Sequence, residues 1–233
     1  MIFDPPCREA RLVKRYKRFL ADIEFDDGTT ATAHCPNTGS MKSCLEPGVR
    51  VLVSESKNPD RKLKWTLEFS VIDGGLVGLN TWIPNKVVSE ALQKKRIPTF
   101  ERYTSLRTEV KYGSQGSRID VLLESPGMCF MEIKNATLYD TNQDGILFPD
   151  AVTTRGQKHL EELMAQVKLG HRAVLLFLVN RSEGGFLSVA DEIDPEYGRL
   201  IRESFQSGVE ILAYRVKSSP EAIELSDPVP IKL

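Results

Sequence analysis

Between residues 19 and 25 the chain alternates, with Phe19, Ala21, Ile23 and Phe25 interleaved with polar Asp22 and Glu24. That is the period of a half-buried β-strand. Asp26-Asp27-Gly28 supplies a tight turn, and TTATAHC (29–35) returns as a β-branched-rich strand. VRVLVSES (49–56) and KWTLEFSV (64–71) read as further strands, parted by Asn58-Pro59-Asp60. No helical period interrupts the stretch from 8 to about 80. About five short strands with turn-rich joints predict a small barrel or sandwich, an oligonucleotide-binding (OB) type barrel first among them.

The pattern changes after Pro84. Asn85 is placed to cap a helix over 86–96 that carries Val87, Val88, Ala91 and Leu92 on one face. SRIDVLLE (117–124), a Ser125-Pro126-Gly127 turn and MCFMEIK (128–134) predict two extended segments. A second helix is expected from Thr154, with Gln157 at capping-box spacing and an apolar stripe of Leu160, Leu163, Met164 and Val167. AVLLFLV (173–179) is apolar on both alternating faces, as a buried parallel strand requires. Asp194-Pro195 opens a third helix through Tyr197, Leu200, Ile201 and Phe205, and VEILAY (209–214) adds a strand. Two units are therefore expected: residues 1–82 as an OB-like β-barrel that binds nucleic acid, and 83–233 as an α/β domain.

Composition limits the function classes more than it selects one. The 233 residues carry 31 basic and 32 acidic side chains, so the chain is no bulk polycation. The longest apolar run falls far short of the roughly 20 residues of a membrane span, and the first residues, MIFDPPCREARLVKR, are charged where a signal peptide is apolar. Cys7, Cys35, Cys44 and Cys129 are irregularly spaced, which fits reduced thiols and a cytoplasmic protein without a membrane partner. Basic residues cluster nevertheless, at Arg8–Arg18, at Lys57–Lys64 and from Lys86 to Lys111. Period-two counting puts Lys14, Tyr16 and Arg18 on one strand face, suited to phosphate contact and base stacking. Arg61, Lys62 and Lys64 extend that candidate surface. Each cluster alone also reads as a solvated face.

The candidate chemistry lies in the second unit. Period two sets Glu132 and Lys134 on one strand face while Met131 and Ile133 point to the core. The turn at Pro126-Gly127 brings Asp120 to that face. Two carboxylates and a lysine on adjacent strands are equipment for metal-assisted phosphodiester hydrolysis. Mg2+ or Mn2+ takes one or two carboxylates and keeps several waters, while the lysine orients the attacking water or stabilises phosphoryl charge. Glu109 would add a ligand for a second ion. The alternative is a surface pair of Glu132 and Lys134 on an edge strand. In the following helix, Arg155 and Lys158 would clamp a phosphate near the N-terminus, with Gln157 or His159 facing the metal or His159 simply exposed. Phe148-Pro149-Asp150 either rims the cleft or helps to cap that helix. His34, Cys35 and Cys44 lack a fourth ligand, so no zinc is expected, and no organic cofactor is implied. Pro36 to Ser40 reads as a polar loop contacting phosphate or the neighbouring domain, or as a structural turn.

SRID, MEIKNATL, FPDA and TRGQKHLEEL resemble the PD-(D/E)XK nuclease superfamily. With HCPNTGSM (34–41), Pro47-Gly48 and NTWIPN (80–85), the whole chain resembles the sugar fermentation stimulation protein A family. The resemblance implies an N-terminal OB-like barrel, a restriction-endonuclease-like α/β domain and sequence-tolerant DNA binding. It also brings, through the family name alone, a regulatory role in sugar (maltose) metabolism. The superfamily motif falls on Asp120, Glu132 and Lys134, with Glu109 as a fourth acid. The superfamily's proline before the aspartate is replaced by Ile119.

Three functions stay open at this level: a DNA-binding protein with a Mg2+-dependent nuclease site, a non-catalytic DNA-binding regulator on a nuclease fold, and a metabolite- or protein-binding module. The acids favour the first, because carboxylates near a DNA path repel phosphate unless a cation lies between them. Strand preference, target genes and homo-oligomeric state are not readable from the sequence.

Overall fold

The computed structural model describes residues 1–37, 39, 41, 44–113 and 116–233. β1 (Arg8–Tyr16), β2 (Leu20–Glu24), β3 (Thr30–His34), β4 (Arg50–Glu55) and β5 (Trp65–Ile72) form the barrel. Antiparallel pairs β1–β2, β2–β3, β1–β4 and β4–β5 are closed by a parallel contact between β3 and β5, which removes the open edge. β6 (Gly75–Gly78) extends β5 outward. Ala21, Ile23, Ala33, Val51, Val53 and Leu67 are fully buried inside, as the alternation predicts. Leu52 and Phe69 point the other way, into the second unit's core beside Phe3.

α1 (Ile83–Gln93) leads out of the barrel and a short 3-10 turn, Pro98–Phe100, ends the connection. β7 (Ser105–Tyr112), β8 (Ser117–Glu124) and β9 (Met128–Ala136) follow as an antiparallel meander. The small strands β10 (Leu138–Asp140) and β11 (Gly145–Phe148) precede α2 (Thr154–Lys168). After β12 (Arg172–Val179) come β13 (Phe186–Val189), α3 (Pro195–Gln206), β14 (Glu210–Ser218), β15 (Ile223–Pro228) and β16 (Ile231–Lys232). The main sheet has the order β15-β14-β12-β9-β8-β7, with β9, β12 and β14 parallel, and a second sheet runs β10-β11-β13-β16. This is an OB barrel followed by a restriction-endonuclease-like mixed α/β domain.

β12 is the centre of the domain. Val174, Leu176 and Leu178 face the α1 side, while Ala173, Leu175, Phe177 and Val179 face α2 and α3, and all are buried. Each fully buried aliphatic side chain there contributes about 1.5–3 kcal/mol. The chain ahead of β1 lies on this unit: Phe3 N–H donates to Glu221 O at 2.8 Å, and the Met1 amino group meets Glu90 at 2.7 Å.

Helix starts depart from expectation where side chains have other employment. α1 begins at Ile83, not at 86, because Pro84 supplies a preset first turn and Trp82 is the N-cap. Asn85 therefore caps nothing. α2 is capped by Thr153, whose Oγ1 accepts from Gly156 N–H at 3.0 Å, so the Thr154–Gln157 capping box does not form. Gln157 instead donates to Asp194 at 2.9 Å. Asp194 caps α3 as expected; Tyr197, Leu200 and Ile201 on it are buried and Phe205 is 59% exposed.

Candidate functional site

β8 pairs with β9 as Val121↔Met131 and Leu122↔Phe130, so one further step sets Asp120 across from Glu132. Asp120 is anchored through both oxygens: Ile133 N–H donates to Oδ2 at 2.7 Å and Asn85 Nδ2 donates to Oδ1 at 2.8 Å. Glu132 is 2% exposed. Its Oε1 accepts from Lys134 Nζ at 2.8 Å and from His159 Nδ1, while its Oε2 is buried and has no hydrogen-bond partner among the described residues. Arg155 Nε donates to the opposite ring nitrogen of His159 at 3.4 Å, which fits a ring protonated at Nδ1.

Burial and the neighbouring Glu132 charge push the Asp120 carboxyl up to about 6, against the donors Ile133 and Asn85 and the Lys134 charge. For Glu132 burial acts upward too, but the His159 hydrogen bond and the Lys134 charge outweigh it and hold the carboxyl below its usual range. A half-buried carboxylate beside a buried one that has an orphan oxygen fits a divalent cation of the kind that takes one or two carboxylates and keeps its waters. Asp120 and Glu132 would hold such an ion, and it would supply Lewis-acid chemistry and lower the pKa of a water bound to it. Lys134 supplies a fixed positive charge beside it.

The sequence-predicted residues are not all gathered there. Glu109 falls between the pairs Thr108↔Val121 and Val110↔Ile119, opposite Asp120 in register, but it is exposed with a φ of 54°. Among the described residues no three His, Cys, Asp or Glu side chains converge as a metal cage. The edge-strand alternative for Glu132 and Lys134 fails, because β9 lies between β8 and β12. His159 is buried on Glu132, not exposed, and Gln157 faces Asp194. Asp150 caps no helix; it lies by Gly39, where an added Cβ would be 3.5 Å from its Oδ2.

Three further side chains at the site carry no motif. Asn85 holds Asp120. Tyr112, stacked on Phe130 at 5.6 Å, has a buried, unpartnered hydroxyl whose proton is held by burial and by the charges of Glu132, Glu162 and Asp120. Glu162, 2% exposed, reaches to Gly113, where a Cβ would stand 2.3 Å from its Oε1. Arg155, His159, Glu162 and Gln166 follow one another at helical spacing, a polar stripe that looks solvent-facing but is turned partly inward.

The basic surface is sorted by its partners. Lys14 Nζ lies 5.4 Å over the Tyr16 ring, and both are tied to Asp22, through 3.6 Å for the ammonium and 3.1 Å for the hydroxyl. Arg18 does not share their strand face: β1 ends at Tyr16, and Arg18 sits in the following turn with a φ of 63°. Lys64 pairs with Glu55 at 2.7 Å. Among the described residues, Arg61, Lys62 and Lys86 have no acid within ion-pair reach. In HCPNTGSM, Thr38 and Ser40 lie outside the described residues. Asn37 and Gly39 accept from the Arg15 guanidinium at 2.8 and 3.1 Å through their backbone oxygens. Both line a cleft of about 120 Å3 with Thr81, Asn135, Thr137 and Asp150, so this loop meets the neighbouring domain.

Residues 82–222 match the family model described as the sugar fermentation stimulation protein RE domain, and residues 13–79 match that of the SfsA N-terminal OB domain. The chain belongs to the SfsA family. Sugar fermentation stimulation protein homologs of Geotalea uraniireducens and Shewanella loihica are 49% and 52% identical, over 98% and 100% of both chains respectively. The SfsA of Pyrococcus furiosus, solved in complex with Ca2+, superposes with a TM-score of 0.88 at 24% identity, covering 98% of this chain and 96% of that one. That likeness establishes the SfsA fold across the whole length. Among the described residues no helix is long and apolar enough to cross a membrane.

Proposed function

We propose that this SfsA protein binds DNA with little sequence preference and hydrolyses phosphodiester bonds at Asp120, Glu132 and Lys134 with the aid of Mg2+ or Mn2+. The observation that carries the reading is the half-buried Asp120 set beside the buried Glu132, whose Oε2 has no partner among the described residues. A pair of acids so placed is unfavourable in a protein that only binds DNA, and a divalent cation relieves it. The Ca2+ complex of the P. furiosus relative supports an oxygen-ligand cation site in the family. The unpaired cations Arg61, Lys62 and Lys86, with Arg18 in its turn and Arg155 and Lys158 on α2, supply the phosphate contacts. Any regulatory role in sugar metabolism would act through that DNA binding.

Supercoiled plasmid and short oligonucleotides incubated with Mg2+ or Mn2+ test it. Cleavage is expected with the wild type and a loss of roughly 100-fold or more in Asp120→Asn and Lys134→Ala. Equal inertness of all three on both substrates would leave a non-catalytic DNA-binding regulator.

A further inference from the structure

Trp82 stands in water beside this site, 57% exposed, whereas Trp65 is packed on Phe25 and only 8% exposed. The Trp82 ring lies against His34, with centroids 5.6 Å apart and planes at 37°. His34 belongs to the barrel's outer face, since its neighbour Ala33 is fully buried inside. On the same face Leu20 pairs with His34, and Tyr16 pairs with Leu20. A line of apolar and aromatic side chains thus crosses three strands and ends at the start of α1.

Its flanks are cationic. Arg61, in the β4–β5 connection, is near enough that its charge, after burial, helps hold the His34 imidazole below its ordinary pKa. Lys86 lies in the first turn of α1, and Arg61 and Lys86 both act on Glu68 beneath. OB barrels take oligonucleotides on the face of their second and third strands and on the β1–β2 and β4–β5 loops, where His34 and Arg61 are found. Trp82 precedes Asn85 by three helical positions, so the two share a side of α1, and Asn85 holds Asp120.

We propose that Trp82 and His34 form a stacking platform for a base of an unpaired DNA strand, with Arg61 and Lys86 on the flanking phosphates. The strand then runs from the barrel face to Asp120 and Glu132. Duplex DNA keeps its base faces stacked on one another, so only an unpaired base presents one to an indole. The substrate class is single-stranded or frayed DNA. This last step rests on the hydrolytic function proposed above; the stacking does not.

Tryptophan emission, titrated in chelator with a 15-mer oligo-dT and with a duplex of equal length, reads the platform directly. Oligo-dT is expected to quench the wild type and leave Trp82→Phe, in which only Trp65 emits, unquenched. Trp82→Ala is expected to weaken oligo-dT binding roughly 5- to 100-fold and duplex binding less than twofold, with His34→Ala losing part of the same affinity. Absence of quenching, or equal losses on both DNAs, overturns the platform. The side chain is exposed and makes no capping hydrogen bond, so unchanged melting of Trp82→Ala serves as the folding control. Normal cleavage without quenching counts against the platform alone. Normal quenching in an inert enzyme counts against the hydrolytic reading alone.

Discussion

Asp120 and Glu132 face each other on adjacent strands, and the protein drives their protons in opposite directions. Glu132 is held ionised by His159 and Lys134, so Asp120, half-buried beside it, is the carboxyl pushed up to about 6. An acid whose folded pKa exceeds its unfolded value stabilises the fold below the unfolded value, and that contribution is lost as pH rises through the folded one. In chelator, Asp120→Asn should therefore be more stable than the wild type at pH 7.5, with the gap closing towards pH 4. The substituted amide keeps a carbonyl for Ile133 N–H, and Asn85 can turn its own amide over. Mg2+ or Mn2+ should then raise the wild-type melting temperature, by about 2.7 kcal/mol of stability at a hundredfold excess over Kd, and leave Asp120→Asn unmoved. Melting curves with and without metal decide it, and equal shifts in both proteins would remove Asp120 from the cation site.

A second carboxyl is displaced where barrel and nuclease-like domain meet. Glu68 is 4% exposed, and Ser54 and Asn80 donate to it at 2.6 and 2.7 Å. Burial nevertheless raises its pKa above the ordinary carboxylate value, against those donors and the charges of Lys86 and Arg61. The stabilisation it gives is complete below about pH 4.5 and declines as pH rises. Glu68→Gln preserves both hydrogen bonds, with its carbonyl towards Asn80 and its amide towards the Ser54 oxygen. Its melting temperature should exceed the wild type's by more at pH 8 than at pH 4.5. A difference that does not vary with pH would mean that Glu68 titrates normally.

His159 is a positioning residue for Glu132. His159→Ala removes a donor from a buried carboxylate, at about 1–3 kcal/mol, and leaves Lys134 as the side-chain partner of Oε1. Activity should fall with stability, and His159→Gln, which restores a donor, should recover part of both. The discriminating measurement is the metal concentration for half-maximal cleavage: it should shift in His159→Ala and return towards wild type in His159→Gln. Loss of stability with an unchanged metal requirement would make the residue merely structural.

Much of this was legible in the residue pattern, and the exceptions have physical causes. Ala21, Ile23 and Phe25 and the doubly apolar AVLLFLV show their strands because burial is one-sided in the first and two-sided in the second, whereas Phe19 lies ahead of β2 and is 48% exposed. β10, β11, β13 and β16 are two to four residues long, too short for a period to develop. Asn85 looked like a cap because its amide suits one, yet Pro84 starts the helix earlier and leaves that amide for Asp120. Glu132 and Lys134 could be found because charge on an apolar strand needs a reason. Glu162 and His159 were hidden because a polar helical stripe ordinarily faces water, and only the partner sheet reveals what it covers.

The same meander carries two cations set against each other. Lys111 pairs directly with Arg118 across β7 and β8, both exposed, and among the described residues neither has an ion-pair partner. Like charges opposite one another in a ladder are destabilising by a few tenths of a kcal/mol to about 1. That penalty is useful where a phosphate settles between them, and Asp120 is only two residues along β8 from Arg118. Arg118→Glu turns the clash into an attractive pair. It should raise the unfolding free energy by roughly 0.5–1 kcal/mol while weakening DNA binding and lowering the salt dependence of log K by about one or more. Denaturant unfolding and a salt series of binding isotherms measure both effects. Greater stability with unchanged affinity would assign the two cations to water; greater stability with weaker, less salt-sensitive binding assigns them to the DNA path.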